Sequence, residues 1–233
     1  MNVVLKYLAD LENNNSKEWF NGNKKRYNEA GAEFEGLLAR LLSSMGDLDE
    51  RFLELDPKGL TYRLNRDTRF SNDKSPYNPK FRAHISPAGK ALVPVGFYLS
   101  VVPRDRSLLG AGLYSTVLKD ATTLIRDHIA KYADEFEAVV KNEEFASRFT
   151  VKGDALKNVP KGFDPNHSQA EYLKNKSWYL EYPISDDLLT SKYFVKEATS
   201  VFSRMKPFND FLNNALKNFK MPSECRLFGR KKA

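Results

Sequence analysis

Three β-rich segments joined by short connections constrain this chain more than any other feature. Phe81 to Ile85 alternates, with Phe81, Ala83 and Ile85 on one face and Arg82 and His84 on the other. Val95 to Val102 is rich in aromatic and β-branched residues, and Leu108 to Tyr114 carries Gly110 and Gly112 on a single face. The connections run through Pro87-Ala-Gly-Lys90 and Pro103-Arg-Asp-Arg106. A parallel crossover needs about a dozen residues or more, so these strands are expected to be antiparallel neighbours. A strand over Leu60 to Leu64, after the turn chemistry of Asp56-Pro57-Lys58-Gly59, and a late strand over Trp178 to Tyr182 bring the expected sheet to about five strands.

Helical periodicity surrounds the strands. Val4, Leu5, Leu8 and Leu11 predict a first amphipathic helix. Asn15 with Glu18 resembles a capping box, opening a second helix whose buried face holds Phe34, Leu37, Leu38, Leu41 and Leu42 and which stops near Gly46. Leu118, Ala121, Leu124, Ile125 and Ile129 form a third stripe, opened by Ser115 or Thr116. A long last helix is expected from Ser191 to Phe219, with Pro207 kinking or dividing it. No internal repeat or linker interrupts the chain. The expectation is one α+β domain over residues 1–219, a largely antiparallel sheet packed with N-terminal, middle and C-terminal helices, followed by a flexible basic tail over 220–233.

Composition excludes several classes. With 41% hydrophobic and 29% charged residues, the 233-residue chain has enough apolar surface for a core and is not disordered. No run approaches the roughly 20 apolar residues of a membrane helix, so no membrane partner is expected. A single cysteine, Cys225, forms neither an internal disulfide nor a cysteine-rich zinc site. Met1 to Asp10 lacks the pattern of a signal peptide, and the two observations together predict a cytoplasmic protein. A pI near 9.3 invites a nucleic-acid reading. The charge, however, is concentrated: Lys58–Arg82 is net +5, Lys217–Ala233 is net +5, and the remainder is about −3 against a total of +7. A duplex-binding protein more often spreads its cations along one face.

The stretch from Tyr62 to Phe81 is where a site is expected. Ser75-Pro76 and Asn78-Pro79 push it away from helix, and a loop this long inside a domain is more often functional than not. Arg66 and Arg69 are forked donors suited to phosphate or carboxylate, Lys74 is a point charge, and Ser71 and Tyr77 add hydroxyls. Asp67 and Asp73 either orient these cations or simply pin a basic surface loop. They are also the carboxylates a Mg²⁺ would use, but the adjacent arginines favour ion pairs, and no metal is expected. In a second irregular loop, Lys161 and His167 flank Gly162. His84, His128 and His167 lack zinc-site spacing, and no phosphate-loop, dinucleotide or serine-nucleophile motif is present. No cofactor follows from the sequence. The leading expectation is a pocket for a phosphorylated or carboxylated small molecule, where the Arg66–Tyr77 loop meets the sheet near Gly110 and Gly112. The alternative is a module without enzymatic activity that binds RNA or protein through the same loop and the tail, because Phe70 and Tyr77 suit base stacking as well as packing.

Several motifs resemble one widespread bacterial family, also found in some fungi, known as a conserved domain of unknown function. They are Arg66-Asp-x-Arg-Phe-Ser-x-Asp-Lys-x-Pro-Tyr77, Gly96-Phe-Tyr, Gly110-x-Gly-x-Tyr and Val159-Pro-Lys-Gly-Phe-Asp164. Lys176-Ser-x-Tyr179 and Met205-x-Pro-x-x-x-Phe211-Leu complete the pattern, which spans about Val4 to Leu216. Asn78 departs from it, standing where the family pattern implies Lys. The resemblance implies a cytoplasmic α+β protein with no assigned reaction, and implies that the residues from Arg66 to Tyr77 belong together.

Overall fold

The computed structural model describes residues 1–69, 71–114 and 116–222. Phe70, Ser115 and 223–233, the last containing Cys225 and most of the expected tail, lie outside the described residues. The chain opens with α1 (Asn2–Asn13), α2 (Lys17–Gly22), α3 (Lys24–Ser44), a 3-10 turn (Glu50–Glu54) and α4 (Pro57–Leu60). The strands β1 (Phe81–Ile85), β2 (Gly96–Val101) and β3 (Ser107–Leu113) follow. Then come α5 (Lys119–Lys131), α6 (Ala133–Val140), α7 (Glu143–Ala146), α8 (Ala170–Leu173), β4 (Trp178–Ile184), α9 (Asp186–Thr190) and α10 (Phe194–Ala215).

The sheet runs β1-β2-β3-β4 with every pair antiparallel. Phe81 faces Val101, Gly96 faces Gly112, and Ser107 faces Ile184. The β2–β3 turn places Arg104 and Asp105 at positive φ, 67° and 57°, a conformation that follows the twist of a hairpin but strains residues other than glycine. Asp186 braces it: its carboxylate accepts from Arg104 N–H at 2.7 Å, and its own N–H donates to Asp105 Oδ1 at 2.7 Å.

Alternation gives the sheet two unlike faces. Phe81, Ala83, Ile85, Phe97, Leu99, Val101, Leu109, Ala111, Leu113, Trp178 and Leu180 are buried on the inner face, and α10 lies across β3. The long last helix passes unbroken through Pro207, with Val201, Phe202, Met205, Phe208, Phe211 and Leu212 all buried. Burying one such side chain stabilises by about 1.5–3 kcal/mol, so the row together outweighs the roughly 3 kcal/mol cost of an interior proline. The other face carries Arg82, His84, Tyr98, Ser100, Tyr179 and Glu181.

Three local expectations are corrected. Leu60–Leu64 is not a strand, so the sheet has four strands among the described residues. Asp56 accepts from the N–H groups of Lys58 and Gly59, and with Pro57 at the first turn this makes α4 instead. Only Thr61 and Tyr62 reach β1, through a bridge to Ala83 and a 3.0 Å bond from Tyr62 N–H to the Arg82 carbonyl. The cap of α2 is Ser16, whose Oγ accepts from Trp19 N–H at 3.1 Å, and not Asn15. The helix after β3 begins at Lys119, with no side-chain cap from Thr116. Among the described residues, no helix is long and apolar enough to cross a membrane.

Candidate functional site

The Arg66–Tyr77 loop is an excursion closed at its base. Arg66 N–H donates to the Pro76 carbonyl at 2.9 Å, Asn78 N–H donates to the Leu64 carbonyl at 2.6 Å, and Asn65 bridges Tyr77. Tyr77 is a packing residue: 5% exposed, its ring is stacked on Phe20 at 4.2 Å. Asn15, expected as a helix cap, holds the Tyr77 backbone instead, donating to its carbonyl at 2.9 Å and accepting its N–H at 3.1 Å.

Within the loop the cations have found internal partners. Arg69 makes a forked contact with Asp67, with Nε–Oδ1 at 2.9 Å and Nη2–Oδ2 at 2.5 Å, which holds the Asp67 carboxyl down at about 2. Arg66 pairs with Asp73. The Asp73 carboxyl is held below its usual range first by the Ser75 hydroxyl, then by Arg66. Lys74 donates to the Thr68 carbonyl at 3.0 Å, and Arg66 lies 3.4 Å from Ser71 Oγ. The Arg69–Asp67 pair is exposed, so it orders the loop with little effect on stability.

Lys161 and His167 answer to other needs. Lys161 is exposed. His167 Nδ1 accepts the Gln169 N–H at 3.0 Å, so the proton sits on Nε2, which donates to Ala130 O at 3.1 Å near the end of α5. Its two nitrogens are satisfied by backbone, one at the end of α5 and one at the turn into α8.

The space expected over Gly110 and Gly112 is also taken. The Tyr114 hydroxyl lies where a Gly110 Cβ would stand and donates to the Leu180 carbonyl at 2.8 Å. A Cβ on Gly112 would meet the Trp178 carbonyl and lie 2.9 Å from the Tyr179 Cα, so this glycine serves the close approach of β4.

What the fold does gather, at the foot of the loop on the sheet's polar face, is a second set of cations. Burial, and then the nearby charges of Arg82 and Arg66, push the Lys80 ammonium below its usual pKa. The Arg82 guanidinium lies 5.4 Å from the Tyr62 ring centre and is lowered by burial, with Tyr62 opposing. Neither Lys80 nor Arg82 has a carboxylate partner among the described residues, and Arg82 Nε is buried without any hydrogen bond. Alongside runs a row of rings: His84 stacks on Tyr98 at 4.4 Å, Tyr98 meets Tyr114 edge-on at 4.5 Å, and Tyr114 stacks on Tyr179 at 4.2 Å. The Tyr98 hydroxyl and both His84 nitrogens are buried without partners. Burial pushes the Tyr98 phenol up and holds His84 down at about 4, with the neighbouring Lys90 backbone opposing the latter, so both are neutral near pH 7.

Sequence reasoning named Arg66 and did not name Lys80, Arg82, Tyr62 or Tyr98, which the fold brings to the foot of the same loop and the adjoining face of the sheet. A signal was available for Arg82, because alternation along β1 puts Arg82 and His84 together on the face away from the apolar one. Elsewhere, a shallow groove of about 450 Å³ beside β4 is lined by Lys152, Glu171, Tyr172, Asn175 and Tyr179. Its lysine is already bound to Glu181 at 2.9 Å. No group of three or more His, Cys, Asp or Glu placed to hold a metal occurs among the described residues.

A model of a conserved hypothetical protein family, DUF2461, matches residues 3–211. The chain belongs to that family. Neither a curated protein nor a solved structure matches it. The matched span contains the whole loop, all four strands and most of α10, so the cation set of this DUF2461 member lies inside the family's own extent.

Proposed function

We propose that the protein binds a phosphorylated or carboxylated small molecule on the polar face of the sheet, where β1 meets the foot of the Arg66–Tyr77 loop. Arg66, Lys80 and Arg82 hold the anion. Asp73 and Ser71 aim Arg66, while Asp67, Arg69 and Lys74 keep the loop folded over the site. Lys161 and His167 take no part.

The observation that carries this reading is the pair Lys80 and Arg82, half-buried and without a carboxylate among the described residues. Withdrawing a cation from water without a partner costs several kcal/mol, and like charges nearby add to that cost. A bound anion reverses the sign of the interaction: it supplies the missing partner and accepts from the orphaned Arg82 Nε.

The test is thermal unfolding with phosphate and with small carboxylates. A ligand at a hundredfold excess over its dissociation constant stabilises by about 2.7 kcal/mol, which is a measurable rise in Tm. Lys80→Gln and Arg82→Gln should abolish the rise while each variant stays folded by circular dichroism. Absence of any shift across the ligand set, alongside RNA binding that weakens steeply with salt, would replace this reading with a nucleic-acid module.

A further inference from the structure

The charge inventory of the site narrows its ligand. Arg66 is compensated by Asp73, and Glu181 across the same face is compensated by Lys152. Lys90 is exposed and engaged by the Thr61 carbonyl at 3.0 Å. That leaves two half-buried positive charges, Lys80 and Arg82, without counter-charge among the described residues; Lys90 lacks a carboxylate too, but its exposed ammonium keeps its water. A carboxylate or a phosphodiester brings one negative charge and leaves one half-buried cation unmatched. A phosphate monoester brings close to two, with three acceptor oxygens.

The donors match as well. Tyr98 lies diagonally across the β1–β2 pair from Arg82, because His84 is the residue directly opposite Tyr98 and Arg82 is two positions along on the same face. The Tyr98 ring is clamped between His84 and Tyr114, so its hydroxyl has little freedom to seek another partner. That hydroxyl and Arg82 Nε are two buried donors without acceptors among the described residues, on the face that also carries Lys80 and Arg82.

We propose that this site, if the anion-binding reading above holds, is built for a dianionic phosphate monoester, held by Lys80 and Arg82 and hydrogen-bonded by the Tyr98 hydroxyl. Tyr98 is then a specificity-determining residue that separates phosphate esters from carboxylates.

The test is isothermal titration of the full chain at pH 8 with methyl phosphate, dimethyl phosphate and acetate. A monoester's second ionisation, near pH 6, is complete there. Methyl phosphate should bind at least about tenfold more tightly than the other two, equivalent to about 1.4 kcal/mol. Tyr98→Phe keeps the ring stack and should weaken methyl phosphate about tenfold, the worth of a hydrogen bond to a charged group. The ligand series on the unmodified chain needs no variant to fold. Equal binding of the three probes, or a Tyr98→Phe protein that binds methyl phosphate as the parent does, overturns the monoester assignment. If that equal binding is still lost in Lys80→Gln, the anion site itself stands. If none of the probes binds, or if Lys80→Gln and Arg82→Gln leave binding untouched, both readings fall.

Discussion

Replacing Asn15 by alanine tests how the loop is tied to the helical layer. Asn65 and Tyr77 form an antiparallel bridge whose ladder bonds are made by their neighbours: Arg66 N–H to the Pro76 carbonyl and Asn78 N–H to the Leu64 carbonyl. In such a pair the N–H and C=O of Tyr77 point away from the partner strand. Both point to Asn15, at 3.1 Å and 2.9 Å. The primary amide stands in for one residue of an absent third strand. Tyr77 is 5% exposed, so neither group has ready access to water once that amide is gone. Two net hydrogen bonds are worth about 1 kcal/mol each, and a buried group left unpaired costs about 1–3 kcal/mol. Asn15→Ala should therefore destabilise by about 2–4 kcal/mol, a large share of the roughly 5–15 kcal/mol that holds a typical domain together. For a chain of this size, about 3 kcal/mol lowers Tm by roughly 6–12 °C. Urea denaturation followed by tryptophan fluorescence measures the change directly. Asn15→Asp retains an acceptor for the Tyr77 N–H but sets a carboxylate against its carbonyl, so it should recover at most part of the loss. A shift below about 0.5 kcal/mol for Asn15→Ala would mean that water replaces the amide, and the third-strand argument would be wrong.

Two further outcomes follow from the sheet. Gly112 has φ 97°, and a Cβ there would strike the β4 backbone, so Gly112→Ala should cost about 2–5 kcal/mol from backbone strain and overpacking together. Gly89, at φ 67° in open space, should lose only about 1–2 kcal/mol on the same change; equal losses in denaturant would show that strain alone matters. Burial holds the His84 pKa near 4 in the folded protein against 6.5 for the free side chain. The unfolded chain then binds the extra proton between those values, so the stability His84 confers is complete above about pH 6.5 and is lost as the pH falls through 4. The interval corresponds to about 3 kcal/mol. Denaturation of the parent and of His84→Phe at pH 7.5 and pH 4.5 should show the parent losing most of that, about 2–2.5 kcal/mol, more than the variant; parallel losses would place the imidazole in contact with water.

Local chemistry determined the antiparallel pairing of β1, β2 and β3 and the faces of the long helices, whereas β4 reaches its place beside β3 only after α5 to α8. A connection too short for a crossover leaves a strand only one neighbour, and strict alternation in Phe81–Ile85 sets which side chains point inward whatever else packs there. The same holds for α10, whose apolar row from Phe194 to Leu216 is buried as its spacing requires, and which continues through Pro207 because that burial outweighs one missing bond. Competition between local signals was harder to resolve. Leu60–Leu64 has strand composition, but Asp56 and Pro57 nucleate a helical turn first. Tertiary structure alone decided which side chains the candidate site gathers. The amide of Asn15 meets Tyr77 across 62 positions of sequence, so a residue that fits a helix cap became a loop anchor. Gly110 and Gly112 promise open space in a strand, but Tyr114, close by in the sequence, folds back over Gly110, and the β4 backbone, which nothing nearby in sequence announces, closes on Gly112. Arg69 and Lys74 are as cationic as Lys80 and Arg82. The difference is that the loop folds the first pair onto its own aspartate and carbonyl, while the sheet lifts the second pair into a half-buried place on the face of Tyr62 and Tyr98, where no acidic side chain follows among the described residues. Which charges are left without partners depends on what packs around them, and that is a property of the assembled fold.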